Sequence, residues 1–248
     1  MKSSTFAKPA SSSLLQALKI SHRFPETEMG LKLYGAPISS SAARVMACLH
    51  EMGVEFELVP VNVKEEEQKQ PSYLATKNPF GQIPALEDGH LTLFESRAIN
   101  RYIATKYKGS DGADDLLRLD NLKEAAVVNV WMEVESHTFN QPTSAIVYQI
   151  LVAPFFGKAT DDELVETSTV KLEKVLDVYE ERLSKTQYLA GDFYSLADLN
   201  HIPYVHYLTK TPKAHVISSR PHVNAWWERI ASRPATKKVI QGMSLGGN

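Results

Sequence analysis

The spacing of apolar residues changes once along the chain, from a mixture of two periods to a single one. In the first part, short alternating runs typical of strands are interleaved with runs whose apolar residues lie three or four positions apart, as in amphipathic helices. Strands are predicted at 31–35, at 54–63 and on either side of a turn at Asp88 and Gly89. The predicted helices lie at 41–52, within 64–78 and at 96–107.

The resulting order, β-α-β-α-β-β-α, describes an α/β module with too few strands for a dinucleotide-binding fold. A polar, glycine-containing stretch at 108–116 reads as a linker. Beyond it the strand patterns disappear, and the remaining segments have helical spacing. The sequence therefore predicts a flexible N-terminal extension at 1–28, an α/β domain at 29–108 and an all-helical domain at 119–248.

Composition excludes several classes of protein. The 248 residues are 43% hydrophobic and 23% charged, and the net charge of −2 gives no basic surface for nucleic acid. No apolar run approaches the roughly 20 residues that span a bilayer. The single cysteine, Cys48, excludes an internal disulfide and a Cys-x-x-Cys motif, and it lies on the apolar face of the first helix. We therefore expect neither nucleic acid nor a membrane among the partners, and we expect Cys48 in the core.

The first 28 residues differ in composition from the rest of the chain. They contain six serines and four Lys or Arg, and the first acidic residue is Glu26. Basic, serine-rich and acid-poor segments are typical of organellar transit peptides. A tail without a targeting role, or an upstream start that precedes Met29, fits the same composition, so both interpretations stay open.

Polar residues with potential chemistry lie at the ends of the predicted elements. Ser39 is the first of three serines at the turn from the first strand into the first helix, where serine is also an ordinary helix cap. Pro84 begins a strand, and Glu95 and Ser96 begin a helix, where free N–H groups attract a carboxylate. The eight histidines lack His-Glu-x-x-His spacing, so no metal site is expected.

Four motifs taken together resemble the glutathione transferases, and among these the plant phi class. The motifs are GAPISSSAARV, NPFGQIPALEDG, LTLFESRAI and YLAGDFYSLADLNHIPY, and the resemblance extends over 29–245. It implies a thioredoxin-like N-terminal domain, an all-α C-terminal domain and a homodimer. The implied activity joins reduced glutathione, a co-substrate rather than a cofactor, to small hydrophobic electrophiles. Because the family is mostly cytosolic, we expect a cytoplasmic protein, with plastid import as the alternative if 1–28 is a transit peptide.

The resemblance implies a catalytic role for one serine of the triplet. In the phi pattern the catalytic serine lies two residues after the proline of the strand-end loop, which from Pro37 is Ser39. Its hydroxyl would stabilise the thiolate of glutathione, since a free thiol with a pKa of about 8.5 is mostly protonated at neutral pH. The triplet leaves a shift of one residue open, with Ser40 and Ser41 as neighbours or helix caps.

Further contacts follow from the same resemblance. A cis peptide before Pro84 would present the backbone of Ile83 to the cysteinyl part of glutathione, and Ser96 with Glu95 would receive the γ-glutamyl carboxylate. Lys69 would lie near the glycyl carboxylate, beside a glutamine where many relatives have histidine. The predicted glutathione-binding residues are Ser39, Gln68, Lys69, Gln82, Ile83, Pro84, Glu95 and Ser96. The predicted apolar lining for the electrophile is Ile38, Val63, Tyr148 and Val152.

Two other activities fit the same motifs. Reduction of organic hydroperoxides would use the same thiolate, and a carrier would bind hydrophobic ligands with little turnover. A redox chaperone or deglutathionylase is disfavoured because residue 39 is serine rather than cysteine. Residues 195–198, Ser-Leu-Ala-Asp, predict a capping box that begins a core helix.

Overall fold

A computed structural model describes residues 30–109 and 114–244. The predicted N-terminal extension, 1–28, lies outside the described residues. Four strands form one mixed sheet in the order β2-β1-β3-β4, in which β1 pairs parallel with β2 and antiparallel with β3. The strands are β1 (Leu31–Gly35), β2 (Phe56–Pro60), β3 (Ala85–Asp88) and β4 (Leu91–Phe94).

Three helices accompany the sheet, and they are α1 (Ser40–Glu51), α2 (Pro71–Thr76) and α3 (Ser96–Lys106). Gly53, with φ of +66°, follows the C-cap of α1, as the sequence predicts. Gln68 and Lys69 lie in the stretch 64–78, which is predicted to contain the second helix, but they are not part of that helix. They belong to a separate 3₁₀ turn, Glu67–Lys69, because Pro71 starts α2 only after Gln70 has taken an extended conformation.

The rest of the described chain is helical. A nearly continuous helix runs from α4 (Leu122–Val134) through a π-helical segment (Glu135–Phe139), α5 (Asn140–Val147) and a second π-helical segment (Tyr148–Val152) to α6 (Ala153–Phe155). The helices that follow are α7 (Asp162–Leu183), α8 (Leu196–Leu199), α9 (Ile202–Leu208), α10 (His215–Ser218), α11 (Pro221–Ala231) and α12 (Pro234–Gly242).

Helix α1 connects the two parts of the molecule. It packs on α3 within the α/β part and on α9 and α12 of the helical part, so little of its surface faces water. Ala43, Val45, Cys48 and Leu49 are fully buried along it. The predicted core position of Cys48 is confirmed, and burial raises the pKa of its thiol. Because α1 is held on several sides, the loop that precedes it has a fixed position against the helical part.

The thioredoxin-like α/β part followed by an all-α part is the predicted fold, and it is confirmed. In the part of the chain that the structure describes, no helix is both long and apolar enough to cross a membrane.

Candidate active site

The register of the sheet brings the predicted site residues to one of its ends. Tyr34, near the C-terminal end of β1, pairs with Ala85 at the start of β3, and Ala85 pairs with Phe94 at the end of β4. Gly35 likewise pairs with Pro60 at the end of β2. The loops before α1, after β2, before β3 and before α3 therefore emerge side by side. These four connections, together with the first residue of α3, contain all eight residues predicted to bind glutathione.

Ser39 is the N-cap of α1. Its oxygen accepts a hydrogen bond from the Ala42 N–H at 3.4 Å, a long contact, and its backbone N–H donates to Ala36 O at 2.9 Å. Since the oxygen acts there as an acceptor, the hydroxyl proton remains available for another acceptor. Helix α1 begins at Ser40, so the suggestion that Ser40 or Ser41 caps the helix is wrong.

Glycine allows the strand that precedes Ser39 to approach α1 closely. A Cβ atom on Gly35 would lie only 2.9 Å from Cβ of Ala42, in the first turn of that helix. A residue with a side chain would not fit at position 35 without a shift of α1, so glycine allows the N-terminus of α1 to lie against the end of β1. The positive end of the α1 dipole is therefore aimed at the loop that contains Ser39.

One buried asparagine shapes the segment from Pro79 to Pro84. The Asn78 side chain accepts from the Phe80 N–H at 3.0 Å and donates to the Gln82 carbonyl at 3.0 Å. The Ile83–Pro84 peptide bond is cis, as the resemblance implies. Ile83 precedes the paired part of β3, which begins at Ala85, so its peptide groups lie beyond the sheet. Its side chain lines the cleft described below.

The turn of residues 67–69 lies against the same segment. Gly81 has φ of +61°, and a Cβ atom there would lie 2.8 Å from Lys69 Cδ and 3.0 Å from the Gln68 carbonyl. Lys69 is exposed, and its Nζ donates to the Phe80 carbonyl at 3.3 Å. Gln68 lines the cleft, whereas Lys69 does not. The ammonium group is thus accessible at the edge of the site.

Glu95 and Ser96 form the start of α3. Glu95 is the N-cap residue with φ of +69°, a conformation that non-glycine residues rarely adopt and that is concentrated at functional sites. Ser96 is the first helical residue and does not cap the helix. Its buried hydroxyl accepts from Arg44 Nη1 at 2.9 Å. As with Ser39, the oxygen is an acceptor and its proton is free to donate.

Arg44 anchors Ser96 from inside the protein. The guanidinium donates through Nε to the Asn200 carbonyl at 3.0 Å, and its Nη2 lies 3.6 Å from Glu135 Oε1. Arg97 binds the same carboxylate with two hydrogen bonds, of 2.6 and 2.8 Å. Burial alone would raise the pKa of Glu135, but the two guanidiniums outweigh it and lower that pKa. The start of α3 is therefore tied to both parts of the molecule by buried charge.

An apolar cleft of about 340 Å³ opens between the two parts beside Ser39. All four residues predicted to line the electrophile site are found there. The lining residues are Ile38, Ser39, Ser40, Val63, Gln68, Ile83, Ser144, Val147, Tyr148, Val152, Phe155, Phe156, Tyr204 and Tyr207. Predicted glutathione-binding residues outside this lining are Lys69, Gln82, Pro84, Glu95 and Ser96.

The sequence pattern does not predict several aromatic residues of the cleft. Phe155 and Phe156 end the long helix, and Tyr204 and Tyr207 lie three positions apart on α9. Tyr207 Oη donates to the Ile38 carbonyl at 2.6 Å. The spacing of the two tyrosines in a short apolar helix indicates a shared face, but it does not indicate what that face contacts.

Among residues 30–109 and 114–244, no group of three or more His, Cys, Asp or Glu side chains is placed to hold a metal ion. The absence of a metal cofactor stays a prediction.

A sheet end where four loops meet two helix N-termini, beside an apolar cleft, is an arrangement suited to a peptide-like thiol and a hydrophobic second substrate. Family models of the glutathione S-transferase N-terminal and C-terminal domains match residues 29–105 and 143–234. The chain belongs to the glutathione S-transferase family.

Within this family the chain is similar to plant proteins of the phi class, which confirms the resemblance. It is 52% identical over 217 residues to glutathione S-transferase F13 of Arabidopsis thaliana, covering 88% of this chain and 98% of that protein. The crystal structure of glutathione transferase F7 from Populus trichocarpa has a TM-score of 0.84 at 60% identity and covers 86% of this chain and 99% of the other. Maize glutathione S-transferase I, in complex with an atrazine glutathione conjugate, has a TM-score of 0.80 at 48% identity, with 86% and 98% covered.

Proposed function

We propose that the protein conjugates reduced glutathione to hydrophobic electrophiles and that Ser39 stabilises the reacting thiolate. The observation that carries the proposal is the position of Ser39, at the N-terminus of α1 and in the wall of the apolar cleft. Lowering the pKa of a thiol by about two units requires roughly 2.7 kcal/mol of preferential stabilisation. One hydroxyl donor together with the positive end of a helix is of this size.

Glutathione would bind along the end of the sheet. The γ-glutamyl carboxylate would accept from Ser96 beside Glu95, and the backbone of Ile83 would pair with the cysteinyl part. Lys69 and Gln68 would meet the glycyl carboxylate. Gln82 and Pro84 would complete the loop that holds the tripeptide. This arrangement leaves the thiol next to Ser39 and the cleft.

The electrophile would enter the cleft between the two parts of the molecule. Ile38, Val63, Tyr148 and Val152 would supply apolar contacts, and the aromatic rings beside them favour flat hydrophobic molecules over charged ones. Turnover of a panel of aromatic halides, epoxides and enones with glutathione tests the activity, and hydroperoxides in the same panel test the reductase alternative. Binding of these compounds without turnover would instead indicate a carrier.

We also propose a homodimer in which each active site lies mainly within one subunit. The resemblance to the phi-class glutathione transferases carries this proposal. Sedimentation at micromolar concentration should give twice the mass of one chain, and the mass of a single chain would contradict the dimer.

We also propose a cytoplasmic location for the protein. The proposed domains are the α/β domain at 29–108 and the all-helical domain at 119–248. A fluorescent protein fused to the first 28 residues should stay in the cytosol. Its import into plastids would instead support the transit-peptide interpretation.

A further inference from the structure

The peptide group that precedes Ser39 is held at both of its polar atoms. Its carbonyl, that of Ile38, accepts the hydrogen bond from Tyr207 Oη at 2.6 Å, and its N–H, that of Ser39, donates to Ala36 O at 2.9 Å. Because a peptide unit is planar, fixing both groups fixes the orientation from which the Ser39 side chain departs. The peptide that follows is also fixed, since the Ala43 N–H donates to the Ser39 carbonyl at 2.8 Å.

Of these restraints, the one from Tyr207 comes from the other part of the molecule. Ala36 and Ala43 belong to the same loop and helix as Ser39, whereas Tyr207 lies 169 positions away from Ile38, on α9. The end of α12 approaches the same loop closely, since a Cβ atom on Gly242 would lie 3.1 Å from Pro37 Cβ. The helical part therefore lies close to the loop at Pro37 and is hydrogen-bonded to it at Ile38.

We propose that Tyr207 is a positioning residue for the reaction: its hydrogen bond to the Ile38 carbonyl orients the Ser39 hydroxyl toward the sulfur of glutathione. The inference rests on the proposed role of Ser39 as the thiolate-stabilising group. The thiolate is stabilised only if the Ser39 O–H points at the sulfur, and the long 3.4 Å contact to the Ala42 N–H restrains that side chain weakly. The orientation of the backbone then decides where the hydroxyl lies.

The chemistry of Tyr207 suits this role. Its side chain is buried, and burial raises the pKa of the phenol to about 12, so the group keeps its proton throughout the neutral range. A neutral phenol is a constant hydrogen-bond donor to a carbonyl, and it adds no charge near the thiolate. The alternative is that Tyr207 is a core residue whose hydroxyl donates to the Ile38 carbonyl without any effect on the Ser39 hydroxyl.

Helix α9 provides a matched control. Tyr204 lies one turn before Tyr207 and lines the same cleft, but its ring faces the Arg44 guanidinium, 5.8 Å from the ring centroid. Tyr207→Phe and Tyr204→Phe each remove one oxygen atom from a tyrosine of the same helix and retain the aromatic ring. Both variants are expected to fold, and their unfolding temperatures are recorded alongside.

The experiment titrates the ultraviolet absorbance of the thiolate of glutathione bound to each variant, with no electrophile present. Tyr207→Phe should raise the pKa of the bound thiol by about 0.5–1 unit, which below that pKa removes about three- to tenfold of the thiolate. The kcat measured at acidic pH should fall by the same factor, while the KM for glutathione changes little. Tyr204→Phe should leave the pKa of the bound thiol unchanged.

A double variant separates an effect through Ser39 from any other effect. In the Ser39→Ala background, adding Tyr207→Phe should produce no further rise in the pKa of the bound thiol. If Ser39→Ala raises this pKa but Tyr207→Phe does not, or if the two rises add in full, the positioning role is wrong and the proposed function stands. If Ser39→Ala leaves the pKa unchanged, the proposed role of Ser39 fails, and the role of Tyr207 fails with it.

Discussion

The hydroxyl of Ser96 shows how a buried charge can prepare a hydroxyl group for binding. Arg44 Nη1 donates to the hydroxyl oxygen from the protein interior, which leaves the hydroxyl proton free to donate to a ligand. The left-handed backbone at Glu95 turns the chain immediately before this point. The start of α3 therefore combines a hydroxyl donor with helix N–H groups for one carboxylate.

We predict that Ser96→Ala weakens glutathione binding by about 1–2 kcal/mol, the size of a lost hydrogen bond to a charged group. Isothermal calorimetry with reduced glutathione measures the change directly. Ser144→Ala is the matched control, since Ser144 lines the helical side of the cleft and should leave glutathione affinity unaltered. Equal affinities for wild type and Ser96→Ala would refute the γ-glutamyl assignment.

The sequence indicates the residues that are proposed to contact glutathione better than it indicates the residues that position them. Ser39, Ile83 and Ser96 belong to short local motifs whose order along the chain is enough to suggest a role. Arg44 and Tyr207 act through contacts with residues far along the chain, at Asn200 and Ile38. Such contacts depend on how helices pack, and a single sequence contains no local signal for them.

The helix that follows residue 194 begins with the predicted capping box, which the structure confirms. Asp198 accepts from the Ser195 N–H and hydroxyl at 3.1 Å each, from the Leu189 N–H at 3.0 Å and from Trp226 Nε1 at 2.9 Å. All four partners are donors, so they suit an ionised carboxylate. Burial nevertheless raises the pKa of Asp198 to about 6. One carboxylate thus joins α8, α11 and the preceding loop.

We predict that Asp198→Asn lowers the free energy of unfolding by about 2–3 kcal/mol, because an amide NH₂ would face buried donors and leave them unsatisfied. Asp161→Asn is the control, since exposed Asp161 caps α7 through the Leu164 N–H and asparagine caps equally well. Denaturant unfolding at neutral pH measures both. Similar losses of unfolding free energy for the two variants would contradict the claim that the buried hydrogen bonds of Asp198 contribute more than an exposed helix cap does.

Regular elements with a clear period were predictable, and departures from regularity were not. The four strands, α1 and α3 follow from the spacing of apolar residues and from turn residues such as Gly53 and Gly89. The two π-helical segments, Glu135–Phe139 and Tyr148–Val152, keep helical spacing in sequence, so only the structure distinguishes them. The second segment places Tyr148 and Val152 in the cleft.

At the scale of the whole molecule, the response to acid depends on two buried histidines of the helical part, His201 and His206. Burial lowers the pKa of His201 and of His206 to about 4. His201 lies between Tyr179 Oη, at 2.9 Å, and the Ala197 carbonyl, at 2.7 Å. Both histidines are therefore neutral in the folded protein at neutral pH.

We predict that acid weakens the fold in the range from about pH 6.5 to pH 4. In this range the unfolded chain protonates both histidines, whose ordinary pKa is about 6.5, while the folded chain does not, so unfolding takes up protons. Asp198 acts in the opposite direction, since its raised pKa means that the folded chain binds the extra proton there. The two histidines against Asp198 leave a loss of about 1 kcal/mol of unfolding free energy per pH unit, and His50, whose pKa burial also lowers, acts in the same direction as these two histidines.

Denaturant unfolding at several pH values measures this slope. His206→Asn should make the slope shallower, because one of the buried histidines responsible for it is removed. A slope that is unchanged in this variant, or stability that increases toward acid, would contradict the assignment.

The central claim is that the hydroxyl of Ser39 stabilises the thiolate of glutathione at the point where the two parts of the molecule meet. Ser39→Ala should therefore raise the pKa of the bound thiol toward the free value of about 8.5, with a loss of one to two decades in kcat at acidic pH. It should also cost about 0.5–1 kcal/mol of stability, since the helix cap is lost. Affinity for glutathione should change little, because the contacts that bind it lie elsewhere.

The most direct test is a pH titration of the thiolate absorbance of bound glutathione in wild type, Ser39→Ala and Ser40→Ala. The account predicts a rise in the pKa of the bound thiol for Ser39→Ala and none for Ser40→Ala, although both serines line the cleft. A rise in the pKa of the bound thiol for Ser40→Ala alone would assign the catalytic role to Ser40 instead of Ser39. The same pKa in all three proteins would show that a serine hydroxyl does not stabilise the thiolate.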